Sequence, residues 1–135
     1  MSLVSRKGLL AIAAVMDVAI HAGDRPVSAK ALASRHALPP RHLEPVLQAL
    51  VRDGILKGIR GPHGGYTLAR PRDHVTAEDI LQAAESTTEA DEPGLASPLV
   101  NTVVLPALEH AERSFSAVLR EITIEDMVQK ARVAA

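Results

Sequence analysis

Residues 55–70 read Ile55-Leu56-Lys57-Gly58-Ile59-Arg60-Gly61-Pro62-His63-Gly64-Gly65-Tyr66-Thr67-Leu68-Ala69-Arg70, and this stretch decides the fold. Two short strand-like segments flank a turn of Gly, Pro and His, and Pro71 stops the second segment. That is the pattern of a small β-hairpin with a glycine-rich tip. The glycines at 58, 61, 64 and 65 match no P-loop and do not lead from a strand into a helix, so the tip is not a nucleotide cradle. Gly64-Gly65 either lets the backbone approach a neighbour closely or serves as a plain turn.

Helix signals precede the hairpin. Ser28 can cap a short helix over residues 28–36, with Val27 placed to staple against Leu32. A second helix opens near Leu38-Pro39-Pro40, because proline is tolerated at the first helical position. Leu43, Val46, Leu47 and Leu50 follow at helical spacing, and Asp53-Gly54 ends the helix. Pro45 departs from this pattern, since it removes one backbone hydrogen bond and can bend the first turn. Further on, Thr76 with Asp79 and Thr123 with Asp126 both resemble capping boxes, stapled by Val75 with Ile80 and by Ile122 with Met127. The two look alike through shared capping grammar, because nothing around them repeats. The order helix, short helix, turn, helix, hairpin, helix predicts a winged helix-turn-helix, mainly α with a small β-hairpin wing.

At the start of the chain, Arg6-Lys7 precede an apolar run over residues 9–16. This has the look of a signal peptide, but Asp17 interrupts it and Val18-Ala19-Ile20 resume at helical spacing. The run is also far short of the ~20 residues a membrane span needs. The reading is a buried first helix in a cytoplasmic protein with no membrane association.

Residues 87–97 are polar and acidic with Pro93-Gly94 inside, and read as an exposed loop. Ser97-Pro98 is a good helix opening. Val104, Leu108, Ala111, Phe115, Val118 and Ile122 then recur in steps of 4, 3, 4, 3 and 4. A 3.5-residue seam is typical of helices that pair. It serves either its own domain or a second copy of the chain. The second is favoured, because a long C-terminal helix in so small a chain has little other surface to cover. Pro106 kinks this helix or delays its onset. The expected organisation is a DNA-reading domain over 1–86, an acidic loop over 87–97 and a dimerising arm with a short final helix over 98–135.

Composition narrows the chemistry. The chain has 135 residues, 47% of them hydrophobic, and a net charge of −1. That near-zero balance argues against a basic nucleic-acid binder until it is divided. Residues 1–75 hold 11 Lys/Arg against 5 Asp/Glu, a net of +6, and residues 76–135 hold 4 against 11, a net of −7. With no cysteine there is no disulfide framework, cysteine zinc site or thiolate-held cluster. One Tyr, one Phe and no Trp make a base-stacking platform for single strands unfit. No metalloprotease, serine-hydrolase or cysteine-nucleophile motif occurs and the histidines lack metal spacing, so an enzyme is not expected.

In such a fold the basic first turn of the second helix of the motif, Arg41-His42, would enter a major groove. Arg41 and Glu44 lie three apart on one face. Arginine can read guanine bidentately and glutamate can accept from cytosine N4. Otherwise Glu44 simply pairs with Arg41. At the hairpin tip Arg60 and His63 sit on glycine-permitted backbone beside Gly64, suited to the negative potential of a narrow minor groove. Lys7 and Ser28, each at a helix start, complete the candidate DNA contacts.

These residues also carry a resemblance. Ser5-Arg6-Lys7-Gly8, Val27-Ser28, His42-Leu43-Glu44-Pro45-Val46-Leu47 and above all the wing Arg60-Gly61-Pro62-His63-Gly64-Gly65-Tyr66 resemble the Rrf-two family of bacterial winged-helix transcription regulators, the IscR/NsrR/CymR group. So do Val75-Thr76, Asp79-Ile80-Leu81 and the closing Ile122-Thr123-Ile124-Glu125-Asp126. The resemblance spans nearly the whole chain. It implies a homodimer joined through the long C-terminal helix on a roughly palindromic operator, with a repressor as the expected output. It carries recognition contacts onto Arg41, His42 and Glu44, and the minor-groove contact onto Arg60. Many members hold an iron–sulfur cluster on three cysteines. The corresponding stretch here, about 87–105, has neither cysteine nor histidine, so no cofactor is expected. A small-molecule effector, a partner protein or the regulator's abundance alone would replace the cluster as the signal. The competing reading is a winged helix kept as a protein-interaction module, whose acidic half binds a basic partner and which ignores DNA.

Overall fold

A computed structural model describes residues 4–85 and 98–134. The acidic loop expected over 87–97 lies outside them. Helix α1 spans Arg6–His21 and is capped by Ser5, whose Oγ accepts from the Gly8 N–H at 3.0 Å. Its apolar run forms a core helix: Ala11, Ala14, Val15 and Val18 are fully buried. Around it pack α3 (Pro40–Arg52), α4 (Ala77–Glu85) and α6 (Ile124–Ala134). Gly8 permits the closest of these approaches, since a Cβ there would stand 2.6 Å from Leu81 Cδ2.

Helix α2 covers Ala29–Arg35 and is capped by Ser28 as expected, with Oγ accepting from the Ala31 N–H at 3.0 Å. The turn to α3 passes through Ala37, whose φ of 52° lies in the left-handed region. Helix α3 opens at Pro40 and runs unbroken through Pro45 to Arg52. Leu43, Val46, Leu47 and Leu50 are buried, each contributing ~1.5–3 kcal/mol by leaving water. Gly54 closes the helix at φ 76°.

Strands β1 (Leu56–Ile59) and β2 (Gly65–Leu68) form the predicted antiparallel hairpin, with Leu56 opposite Leu68 and Ile59 opposite Gly65. Val27 adds a third element, exchanging backbone bonds with Tyr66 at 2.9 and 2.8 Å. The wing is thereby tied to the segment that leads into α2.

Both predicted capping boxes are present. Thr76 and Asp79 exchange bonds of 3.1 Å in each direction, and Thr123 and Asp126 bonds of 3.2 and 3.1 Å. Their likeness has a consequence that reading each alone did not anticipate: the two segments pair with each other. Ala77 N–H donates to Ile122 O and Ile124 N–H to Val75 O, at 2.8 and 2.9 Å. This pairing seats α6 on α1 and buries Ile124 and Val128 in the core. Arg72 fastens the same junction, with Nε 2.9 Å from Glu125 and Nη1 3.4 Å from Ala19 O.

Helix α5 spans Leu105–Leu119 and is preceded by a π-helical turn over Val100–Val104. Pro106 therefore sits in the first turn of α5, where its missing N–H is least costly. No side chain described in α5 is fully buried.

Candidate nucleic-acid interface

The amphipathic pattern of α3 fixes what its other face presents. With Leu43, Val46 and Leu47 turned into the core, Arg41, His42 and Glu44 stand exposed on the first turn. Pro39 offers no side-chain cap, Pro40 has no N–H to satisfy, and the His42 N–H donates to Pro39 O at 3.1 Å. Arg41 and Glu44 form no ion pair with each other among the described residues. The bland role of Glu44 as the partner of Arg41 is absent, and both groups are available to an incoming molecule.

At the hairpin tip both glycines sit against the chain's own backbone. A Cβ on Gly64 would stand 2.2 Å from Ile59 O, and one on Gly65 2.3 Å from Val27 O. Gly65 also has φ 155°. Both glycines are needed for close backbone approach: one closes the turn and the other lets the Val27 segment dock on β2. Arg60 and His63 are exposed on this rigid tip. Arg60 lines a hollow with Ile59, Gly61 and Gly64, while His63 and Gly64 line a second one with Ser28.

Beneath α2 lies a network that the sequence pass missed. Asp17, which interrupts the apolar run, has a side chain only 2% exposed. Its carboxylate accepts from Arg35 Nε and Nη2 at 2.9 and 2.7 Å and lies 2.7 Å from His36 Nε2. Burial pushes its pKa up, but the bonds from Arg35 and His36, with the charges of Arg35 and His21, hold the carboxyl below its ordinary value. The bond to Asp17 outweighs burial at Arg35 and raises the guanidinium's own value. The available signal was an acid inside an apolar helix followed by adjacent Arg and His.

The cations divide into two sets. Arg35, Arg52, Arg70 and Arg72 pair with carboxylates at Asp17, Asp53, Asp79 and Glu125. Arg25, Lys30, Arg41, Lys57 and Arg60 have no ion pair among the described residues. Part of the +6 of residues 1–75 is thus structural, and these five unpaired cations fall on α2, α3, the wing and the segment before α2, while Arg6 and Lys7 on α1 also have no ion pair among the described residues. Lys7 is half-buried in the first turn of α1, whose neighbours lie elsewhere: Ser5 donates to Glu85 at 2.9 Å and Gly8 abuts Leu81.

The α5 seam also divides. Val104, Leu108, Ala111 and Val118 are exposed, Leu108 by 58%. Phe115 is half-buried in a cleft with Val4, Leu81 and Leu119, and Ile122 lies half-buried in a hollow with Val118 and Met127.

Known proteins match this architecture. The Rrf2 family model, described as an iron-dependent transcriptional regulator, matches residues 4–130. A Synechocystis protein named as an HTH-type transcriptional regulator is 33% identical over 131 residues, covering 93% of this chain and 87% of the relative. The regulator IscR of Cereibacter sphaeroides is 35% identical over 92 residues, covering 67% of this chain and 59% of its own length. The chain thus spans little more than half of that relative. The solved structure of T. potens IscR superposes with a TM-score of 0.78 at 33% identity, covering 98% of this chain and 90% of the other. CymR, the global cysteine regulator of B. subtilis, gives 0.72 at 28% identity over 96% and 98%. The family description names iron. The sequence has no thiolate donor, and no group of three or more His, Cys, Asp or Glu among the described residues is placed to hold a metal ion. These relatives are regulators and not enzymes, and among the described residues no helix is long and apolar enough to cross a membrane. With its wing, its helix-turn-helix and a family match over nearly its full length, the chain belongs to the Rrf2 family of winged-helix DNA-binding transcriptional regulators.

Proposed function

We propose that the chain works in the cytoplasm as a homodimeric repressor on a roughly palindromic operator, without an iron–sulfur cluster. Residues 1–86 read DNA and residues 98–135 form the dimerising arm, whose last helix folds back onto α1. Arg41, His42 and Glu44 contact base edges in the major groove, Arg60 enters the adjacent minor groove, and His63, Gly64, Ser28 and Lys7 contact the backbone. The observation that carries this reading is the set of charges on α3 and the wing that have no ion pair among the described residues, held on a scaffold in which Arg35, Arg52, Arg70 and Arg72 are paired internally. Dimerisation through Val104, Leu108, Ala111, Phe115, Val118 and Ile122 is supported by the largely exposed apolar face of α5. The signal is a small-molecule effector or a partner protein in place of iron.

Gel shifts on genomic fragments selected by the protein test the reading. Two half-sites should lie about one helical turn apart, ~34 Å. Affinity should fall ~10³–10⁵-fold between 50 and 200 mM salt if ~6–10 phosphates are neutralised. A protein that selects no fragment, or whose binding ignores salt, would refute it and leave the protein-interaction module as the better account.

A further inference from the structure

A groove of about 320 Å³ runs between the wing tip and the segment entering α2. One wall is Pro62, His63 and Gly64; the other is His21 and residues 25–28; Ala31 and Arg35 complete it. No carboxylate lines it. Arg25 is exposed on its wall and has no ion pair among the described residues. Asp24, its neighbour in sequence, is exposed but not part of the lining. Arg35 is fixed by its bidentate bond to Asp17, so its place in the groove is set before any ligand arrives.

The walls are mechanically joined. Val27 and Tyr66 exchange two backbone bonds, and Gly65 allows them to meet. The wing and the Arg25 segment therefore move as one piece. Gly64 is shared with the hollow lined by Arg60, so the two sites adjoin at the hairpin tip. A minor groove is bordered by a phosphate strand on each side. A tip that directs Arg60 into it brings one of those strands toward the groove that adjoins the Arg60 hollow at Gly64.

We infer that this groove seats a phosphodiester of the operator backbone, with Arg25 as its principal charge and His63 closing it from the wing. The inference rests on the operator-binding reading above and deepens it by assigning Arg25 as an anchor that positions the wing. An anchor of this kind adds affinity without base preference.

Fluorescence anisotropy with the full chain and its selected duplex, titrated in salt, tests it. Arg25→Ala should lower the magnitude of the log K against log[salt] slope by about 1, the share of one phosphate, and weaken selected and mutated duplexes alike. Arg25→Lys should restore the slope, and Lys130→Ala, on the far helix α6, should leave it unchanged. A wild type with a steep slope that Arg25→Ala does not alter overturns the inference and leaves operator binding intact. So does an Arg25→Ala protein that loses base preference without losing slope. A wild type that binds no duplex overturns the operator reading and this inference together. Circular dichroism melts of each variant separate lost contacts from lost folding.

Discussion

The first turn of α3 and the exposed face of α5 are both surfaces that the single chain leaves incomplete, but in opposite chemistries. On α3 and the wing, Arg41, Glu44 and Arg60 have no ion pair among the described residues, while glycine contacts hold the wing backbone and the Asp17 network ties α2 to α1. On α5 and the turn that leads into it, Val104, Leu105, Leu108 and Val118 are 40–58% exposed and little from the chain covers them. Unpaired charge in water is stable alone and becomes useful beside a polyanion. Exposed aliphatic surface is unfavourable alone and is relieved by another apolar surface. The two faces thus call for different partners, and substitutions on each should fail in different ways.

The largest effect is expected on α5. Val104→Glu with Leu108→Glu should give a monomer by light scattering and lower operator affinity by ~10²–10⁴-fold, because two linked half-site contacts become independent. A double variant that remains dimeric would remove α5 from the interface. On the reading face, Gly65→Ala should cost about 3 kcal/mol in urea unfolding, since a Cβ 2.3 Å from Val27 O forces the wing off its strut and breaks two backbone bonds. Its dimerisation should be untouched, which separates the two faces.

Asp17 tests whether the reading face depends on a buried anchor. Asp17→Asn should cost about 2 kcal/mol at pH 7. That is below the full penalty of a broken buried pair, because Arg35 is 37% exposed and rehydrates. The sign with pH follows from the lowered carboxyl. Its stabilisation is fully present above the unfolded value of about 3.9 and disappears as pH falls through the lower folded value. The gap between wild type and variant should therefore close in acid, and a gap that persists there would assign the loss to packing.

Much of the molecule was legible in its sequence because local rules agreed with the fold. Ser28, Thr76 and Thr123 cap the helices they were read to cap, and the hairpin around Gly64-Gly65 forms in the expected place. What escaped was non-local. Nothing in either capping box says that Ala77 will donate to Ile122 and Ile124 to Val75 across almost fifty residues, yet this pairing puts α6 into the core. Asp17 read as an interruption because its partners lie 18 and 19 residues away. The division of the cations was hidden for the same reason: a charge count cannot tell Arg72, held by Glu125, from Arg60, which has no ion pair among the described residues.

Two smaller effects sharpen the reading face itself. Glu44→Ala should relax base preference by ~1–3 kcal/mol at a single operator position, because the group it leaves unread is one cytosine amine. Unchanged selectivity would return Glu44 to a solvated surface role. The smallest effect concerns the turn that aims α3. Ala37 carries φ 52°, a conformation that costs an L-residue ~1–2 kcal/mol and glycine almost nothing. Glycine is also more flexible when unfolded, which offsets part of that relief. Ala37→Gly should therefore gain only ~0.5–1 kcal/mol in urea unfolding while leaving operator preference and dimerisation unchanged. A destabilised variant would mean that the Ala37 methyl packs in a way its exposure does not reveal, and that the turn is held by side-chain contact as well as by backbone geometry.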